Sequence, residues 1–284
     1  MSLSILTNIS AMNTQQNLLK SSNAVSQSMA RLSSGLRINT AADDAAGYAI
    51  SQGLTSQVNG LNQASSNTND AISMVQTASS SLNDVQNMLQ RVYELGVQYN
   101  NGSNSSTDKS DIQAEVNQLT QEIDRQQSSS NFNGLNLLNG TAGSSGTVTF
   151  QVGANGGDTL TATFSNVEGS GGLGGLGFSW GSAATGGTVI DLSSSSALAS
   201  LTSAINNISS MAATLGAVQN RLQYTSDSIA STEQNLSASN SQIKDVNMAQ
   251  EMTNMTQEQI LEQAGASMLA QANSQPQLIL KLLG

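Results

Sequence analysis

Neither cysteine nor histidine occurs among the 284 residues of this sequence. The chain therefore forms no disulfide bond and supplies no thiolate nucleophile, no histidine general base and no cysteine or histidine ligand for zinc. Proline occurs once, at Pro276, so very long helices are possible, because a proline inside a helix costs about 3 kcal/mol. These absences exclude thiol, histidine and zinc chemistry and favour a long-helical structural protein.

Aromatic residues, long apolar runs and positive charge are also scarce. Aromatic residues make up 3% of the chain against 37% hydrophobic residues, which disfavours a wide globular core and suits thin aliphatic seams. No run of 18 or more apolar residues is present, and the start of the chain lacks the basic and apolar regions of a secretory signal, so we expect neither a membrane span nor that signal. The net charge of −10 argues against nucleic acid and anionic membranes as partners.

Aliphatic residues recur at intervals of seven in the C-terminal part of the chain. They are Leu201, Ile208, Leu215, Leu222, Ile229, Leu236 and Ile243. An unbroken series of this length predicts one long helix with a continuous apolar seam. Met252 and Met255 belong to a methionine stripe, which we interpret as a packing surface rather than a soft-metal site. We expect the heptad series, together with these two methionines, to form the seam along which the protein assembles.

Helical periodicity covers most of both ends of the chain. It predicts helices over about residues 4–34, 45–99, 108–128, 195–240 and 245–282. The first 42 residues carry three basic residues and no acidic residue, whereas the last 42 carry more acidic than basic residues. Opposite charge favours pairing of the two ends, although exposed ion pairs add only about 0–1 kcal/mol each. The expected fold is mainly α, a long antiparallel helical bundle or coiled coil formed by the paired N- and C-terminal regions, with a small β-hairpin in the middle.

The middle of the chain differs from both ends in composition. Residues 147–164 alternate between apolar and polar around an Ala-Asn-Gly-Gly-Asp turn, which predicts a β-hairpin. Residues 165–195 form a glycine-rich loop, and residues 172–177 satisfy G-x-G-x-x-G, but no helix follows, so we reject a dinucleotide site. Asp43 and Asp44 are interpreted as helix-start charges rather than a catalytic or metal-binding pair. We therefore expect no catalytic residue, no metal and no cofactor.

Several segments at both ends resemble the bacterial flagellin family. The N-terminal ones are ARLSSGLRINTAADDAAGYAI (30–50), LNQASSNTNDAISMVQTA (61–78), QRVYELGVQYNNG (90–102), IQAEVNQLTQEIDR (112–125) and FNGLNLLNG (132–140). The C-terminal ones are LGAVQNRLQYT (215–225), MAQEMTNMTQEQILEQAGASMLAQAN (248–273) and PQLILKLL (276–283). The resemblance covers nearly the whole chain except about residues 165–195, and its motifs lie in order, so the sequence is identified as a short member without large outer domains.

The resemblance implies a structural subunit that self-assembles into the flagellar filament for motility. It implies an inner coiled-coil terminal domain made of residues 1–42 and 243–284, and a rod domain of residues 43–242. It also implies unfolded export by the flagellar type III apparatus, a secreted location in the extracellular filament, and an export chaperone, the filament cap and hook–filament junction proteins as partners. The alternative is a hook–filament junction-type secreted coiled-coil protein, which also pairs its termini.

The resemblance further implies an epitope for the Toll-like receptor for flagellin. The matching positions are Arg91, Leu95 and Glu115. Arg91 and Leu95 are four residues apart, so they are expected on one helix face, where an arginine beside a leucine makes an anchor for a partner. The alternative is that Arg91 and Glu115 only pack between subunits. Because the two surfaces overlap, we expect the monomer rather than the filament to be recognised.

Overall fold

The structure is a computed structural model that describes residues 7–167, 190–194 and 196–283, the last nine of them as backbone only. Most of the expected glycine-rich loop at 165–195, with the G-x-G-x-x-G segment, lies outside the described residues. The helices are α1 Ile9–Ser34, α2 Ala45–Tyr99, α3 Ser106–Ser129, α4 Ala197–Lys244 and α5 Met248–Leu283. The strands are β1 Asn131–Phe132, β2 Leu135–Asn136, β3 Thr147–Gln151 and β4 Thr159–Thr163. The mainly α fold is confirmed, and α2 has the bounds that its periodicity predicts.

Local side-chain chemistry fixes where the helices begin and end. Gly35 closes α1 with a left-handed φ of 72°, a conformation that costs glycine little. Asp44 precedes α2, and its carboxylate accepts a hydrogen bond from the backbone N–H of Gly47 at 2.9 Å, as an N-cap does. Ser105 and Asp108 form a capping box at the start of α3. The hydrogen bonds that Asp108 accepts from the backbone and side chain of Ser105 lower the pKa of its carboxyl group.

Two β-hairpins follow α3, and only the second is indicated by alternation in the sequence. β3 pairs with β4 in antiparallel register, with Val148 opposite Ala162 and Phe150 opposite Leu160, which confirms the hairpin expected at 147–164. The first hairpin pairs β1 with β2 across Asn133 and Gly134. Both turn residues have positive φ, 49° and 81°, as a tight type I′ turn requires.

The chain divides into two compact units. The terminal unit consists of residues 1–57 and 234–284, and the central unit consists of residues 58–233. Both boundaries fall inside long helices, so α2 and α4 each contribute residues to both units.

In the terminal unit, α1 and α5 pack against each other as an antiparallel pair. The side chain of Asn8, before α1, donates to the carbonyl of Ala272 near the end of α5 at 2.8 Å. After α1, the backbone N–H of Arg37 donates to the carbonyl of Lys244 at 2.7 Å. Early residues therefore meet late residues along the whole length of the pair. This arrangement confirms that the N- and C-terminal regions pair.

In the central unit, α2, α3, α4 and the hairpins enclose one aliphatic core. Gln86 of α2 donates to Ser209 of α4 at 3.3 Å, and Asn67 of α2 donates to the carbonyl of Gln151 in β3 at 3.0 Å. The largest fully buried side chains of this core are Leu82, Leu89, Leu95, Ile123, Leu137, Leu138, Phe164, Leu192, Leu201 and Ile208. None of the helices in the described ranges is long and apolar enough to cross a membrane.

Candidate assembly surface

The described part of the terminal unit fully buries almost none of its large hydrophobic side chains and leaves ten of them exposed. Ile38 is its one buried hydrophobic residue, and all the other buried hydrophobic residues belong to the central unit. The exposed large hydrophobic residues of the terminal unit are Ile9, Met12, Leu19, Met29, Ile50, Met248, Met252, Ile260, Leu261 and Met268. Since burial of such side chains drives association, this unit is the candidate assembly surface of the chain.

Helix α1 carries apolar residues on two faces. Leu18, Val25 and Leu32 repeat at intervals of seven and are partly buried, and Leu18 packs beside Gly265 of α5. Met12 and Leu19 also lie seven residues apart but point away from this seam, and each is more than half exposed. One face of α1 thus serves the intramolecular pair, and a second apolar face has no partner among the described residues.

A groove runs between α1 and α5 on the surface of the terminal unit. Its volume is about 690 Å³. Its apolar lining comes mainly from Leu18 and Ala24 of α1 and from Leu261, Ala264 and Met268 of α5. A groove with apolar walls between two antiparallel helices accommodates a third apolar helix face.

Two acidic side chains of the terminal unit lie near Arg31. Its guanidinium lies 3.7 Å from the carboxylate of Glu251 on α5 and 4.0 Å from that of Asp43. Glu251 is buried, and the Nε of Arg31 is buried without a hydrogen-bond partner. Asp43 also accepts from the backbone and hydroxyl of Thr40, which lowers the pKa of its carboxyl group. The ion pair between Arg31 and Glu251 therefore joins α1 to α5 in addition to the aliphatic contacts between the two helices.

The heptad series occupies different environments along its length. Leu201, Ile208, Leu215, Leu222 and Ile229 are buried in the central unit. Leu236 and Ile243 are partly buried in the terminal unit, as is Met255, whereas Met252 is exposed. The first four residues of the series share one core with residues of α2, α3 and the hairpins, and Ile229 is buried as well, so these five side chains are not exposed for contacts between copies. The assembly role of Met252 and its neighbours stays a prediction.

Arg91 and Glu115 form an exposed ion pair between α2 and α3. The Nε and Nη2 of Arg91 donate to one Glu115 oxygen at 3.0 and 2.9 Å, and Nη1 donates to Glu94 at 3.3 Å. The hydrogen bond to Glu115, followed by the one to Glu94, raises the pKa of Arg91. Both Arg91 and Glu115 have about half of their side chains exposed, at 50% and 46%.

Leu95 does not lie on the surface beside Arg91. It is 1% exposed and belongs to the core of the central unit. The spacing of four residues gives the two side chains a common direction. The long arginine reaches solvent from there, whereas the shorter leucine joins Leu89 and Val92 in the core. Leu95 is therefore not available as a surface anchor beside Arg91, and the receptor epitope stays a prediction.

The acidic side chains form no candidate metal centre among the described residues, where no group of three or more Asp or Glu is placed to hold an ion. Asp43 and Asp44 instead accept hydrogen bonds from nearby backbone N–H groups, as helix-start residues do. The exposed apolar residues of the terminal unit are therefore the candidate functional residues.

Comparisons with known proteins identify the family. The model of the bacterial flagellin N-terminal helical region matches residues 5–143, and that of the bacterial flagellin C-terminal helical region matches residues 198–283. The chain is 41% identical to a flagellin of Bacillus subtilis strain 168, over 97% of this chain and 98% of that protein. It is 43% identical to the flagellar filament 33 kDa core protein of Treponema phagedenis, also over 97% and 98%.

The crystal structure of Bacillus cereus flagellin also matches, with 29% identity over 62% of this chain and 94% of that chain, at a TM-score of 0.48. The two sequence relatives match along nearly the full length of both partners. The chain therefore belongs to the bacterial flagellin family, and it is a structural subunit of a flagellar filament rather than an enzyme.

Proposed function

We propose that the exposed apolar faces of α1 and α5 pack against the same helices in neighbouring copies. Residues 1–42 and 243–284 then form the inner coiled-coil domain of the filament, and residues 43–242 form its rod domain. The observation that carries this proposal is the terminal unit's excess of exposed over buried hydrophobic side chains. Full burial of one such side chain contributes about 1.5–3 kcal/mol, so several per copy outweigh the cost of ordering them.

Deletion of either terminal segment tests this proposal. A chain lacking residues 1–42 or residues 243–284 should keep a cooperatively folded central unit, because that core is closed without them, but should form no filament. Electron microscopy and sedimentation of the purified protein measure assembly, and circular dichroism measures folding. Filaments of normal appearance from either truncated chain would refute the inner-domain assignment.

A single position gives a finer version of the same test. Leu19 is exposed on the second apolar face of α1, so Leu19→Asp should leave monomer folding unchanged and prevent assembly, because a carboxylate is costly to bury. Leu19→Met is the matched control, since it keeps an apolar side chain of similar volume. Equal assembly of the two variants would show that this face makes no contact between copies.

We infer that the chain reaches the filament by export through the flagellar type III apparatus and acts outside the cell. The partners on that route are an export chaperone, the filament cap and hook–filament junction proteins. Family membership supports this inference, and a chain without cysteine needs no oxidation step to fold. The test is to express the chain in a bacterium that lacks its own filament protein, with and without a working export apparatus, and to measure the amount of protein secreted into the medium. Secretion that persists without the apparatus would contradict it.

We also propose that Arg91 and Glu115 form part of a surface that the Toll-like receptor for flagellin binds on the monomer, without Leu95. Arg91→Ala should strongly reduce signalling in a reporter-cell assay. Arg125→Ala is the matched control, because Arg125 is an exposed arginine that pairs with Glu122 within α3. A wild-type response that Arg91→Ala leaves unchanged would sink this assignment, as would an equal loss with Arg125→Ala.

A further inference from the structure

Methionine is distributed unevenly between the two units. The chain has ten methionines. Those in the terminal unit are Met1, which lies outside the described residues, and Met12, Met29, Met248, Met252, Met255 and Met268. All of these except Met1 and Met255 belong to the exposed large hydrophobic residues, with 49% to 62% of their area accessible. Half of the exposed apolar side chains on the candidate assembly surface are therefore thioethers.

The central unit holds its methionines differently. Met74 is buried at 3% exposure, and Met88 and Met211 are partly buried against the core. These three methionines have the same thioether group as the five exposed methionines and are present in the same chain and the same solution. They are therefore an internal reference for any reaction that depends on access to sulfur.

An exposed thioether reacts with peroxides. The sulfur lone pair attacks one oxygen of hydrogen peroxide, an S–O bond forms while the O–O bond breaks, and water is released. Sulfur is oxidised by two electrons and the peroxide is reduced. The product, methionine sulfoxide, is polar where the thioether was apolar, and sulfoxide reductases reverse the change.

We propose that Met12, Met29, Met248, Met252 and Met268 are a set of oxidation sites through which peroxide blocks assembly of the free subunit. The inference rests on the proposed assembly role of α1 and α5. Sulfoxides on these faces weaken the apolar contact between copies, because each adds a polar oxygen that must be desolvated. Contact with neighbouring copies covers the same sulfurs, so a subunit inside a filament resists the reaction that a free subunit undergoes.

The first experiment measures where peroxide reacts. Monomer and assembled filament are treated with hydrogen peroxide, and peptide mass spectrometry follows each methionine over time. The five exposed methionines should react well before Met74 in the monomer, and should react more slowly in the filament than in the monomer. Equal rates for the five residues and Met74 in the monomer would overturn the proposal, as would equal rates for the five residues in monomer and filament.

The second experiment measures the effect on assembly. Full burial of a methionine side chain is worth at least about tenfold in an equilibrium constant, so the concentration of peroxide-treated wild type needed for seeded growth should rise by about tenfold or more. A variant with all five exposed methionines changed to leucine should assemble and resist peroxide. The control variant, with Met74, Met88 and Met211 changed to leucine, should stay as sensitive as wild type.

The outcomes separate this proposal from the assembly role on which it rests. Normal growth of oxidised wild type overturns the oxidation proposal alone, whereas the truncation and Leu19 variants test the assembly role without peroxide. If the five-leucine variant fails to assemble before treatment, oxidised wild type is treated instead with methionine sulfoxide reductase. Recovery of growth then supports the proposal, and growth that stays blocked after the sulfoxides are reduced overturns it. An unchanged circular dichroism melt of the oxidised monomer is expected, since the central core is not oxidised.

Discussion

The terminal and central units are built from the same kind of amphipathic helix, yet they use their apolar residues in opposite ways. In the central unit, α3 and the hairpins cover the seam between α2 and α4, so the aliphatic residues become a closed core. In the terminal unit, the described parts of α1 and α5 pack mainly against each other, and two helices have too little surface to bury every apolar face. The difference shows that an apolar helical seam becomes a core or an assembly surface according to what covers it.

A charge placed in the central core should have the largest effect on stability. Leu222→Asp should destabilise the central unit by about 4 kcal/mol or more, because an unpaired carboxylate is buried where an aliphatic side chain was. Ser226→Asp, at a half-buried position of the same helix, should cost far less. Denaturant unfolding of the two variants measures the difference. Equal losses of unfolding free energy would mean that the seam is not the core of α4.

Two isoleucines allow the same substitution to be made in both units. Ile208→Ser in the central core should lower the unfolding free energy by about 2–5 kcal/mol. Ile260→Ser on the exposed face of α5 should change it by no more than about 0.5 kcal/mol and should instead raise the protein concentration needed for assembly. Unfolding curves and sedimentation after seeding measure the two quantities. An effect of Ile260→Ser on monomer unfolding as large as that of Ile208→Ser would remove the distinction between the units.

The long helices could be read from the sequence because their signals are local. The heptads from Leu201 to Ile229 predict both α4 and its buried face, and alternation at 147–164 predicts β3 and β4. The hairpin of β1 and β2 is missed, although Asn133-Gly134 is a strong signal for a type I′ turn, because its strands of two residues are too short to show alternation.

The candidate site was harder to predict because it depends on coverage by distant segments. The spacing of Arg91 and Leu95 gives their direction on α2, but not that Leu95 joins a core to which Leu192 and Leu201, about 100 residues further along the chain, also belong. Likewise, one regular heptad series runs from a buried position at Ile229 to a partly buried one at Ile243. Nothing in the repeat itself changes at that point, since burial is decided by the neighbouring elements.

The ionic cluster of the terminal unit offers a more moderate test. Arg31→Ala should destabilise the α1–α5 pair by about 1–3 kcal/mol, because Glu251 is left buried without its positive partner. Arg125→Ala removes an exposed pair on α3 and should have an effect near zero. Thermal unfolding monitored by circular dichroism measures the change in stability that each substitution causes. An Arg31→Ala melt that matches the wild-type melt would show that the cluster does not hold the pair.

The smallest expected effect concerns the start of α3 in the central unit. The pKa of Asp108 is lowered below its ordinary value of 3.8 by its hydrogen bonds with Ser105. A lowered folded-state pKa means that this stabilisation is fully present above pH 3.8 and is lost as the pH falls through the folded value. Asp108→Asn should therefore flatten the pH dependence of the melting temperature below about pH 4 and leave its slope at neutral pH unchanged. An unchanged acid slope would contradict the capping-box assignment.

Hydrogen exchange on the monomer and on the filament shows whether neighbouring copies complete the terminal unit. We expect the backbone amides of α1 and α5 to exchange much faster in the monomer than the core amides of α2 and α4, because the terminal pair buries so little apolar surface. Assembly should slow exchange in α1 and α5 strongly while changing the central core little. Equal protection of both units in the monomer, or α1 and α5 amides that gain no protection in the filament, would contradict the claim that neighbouring copies complete the terminal unit.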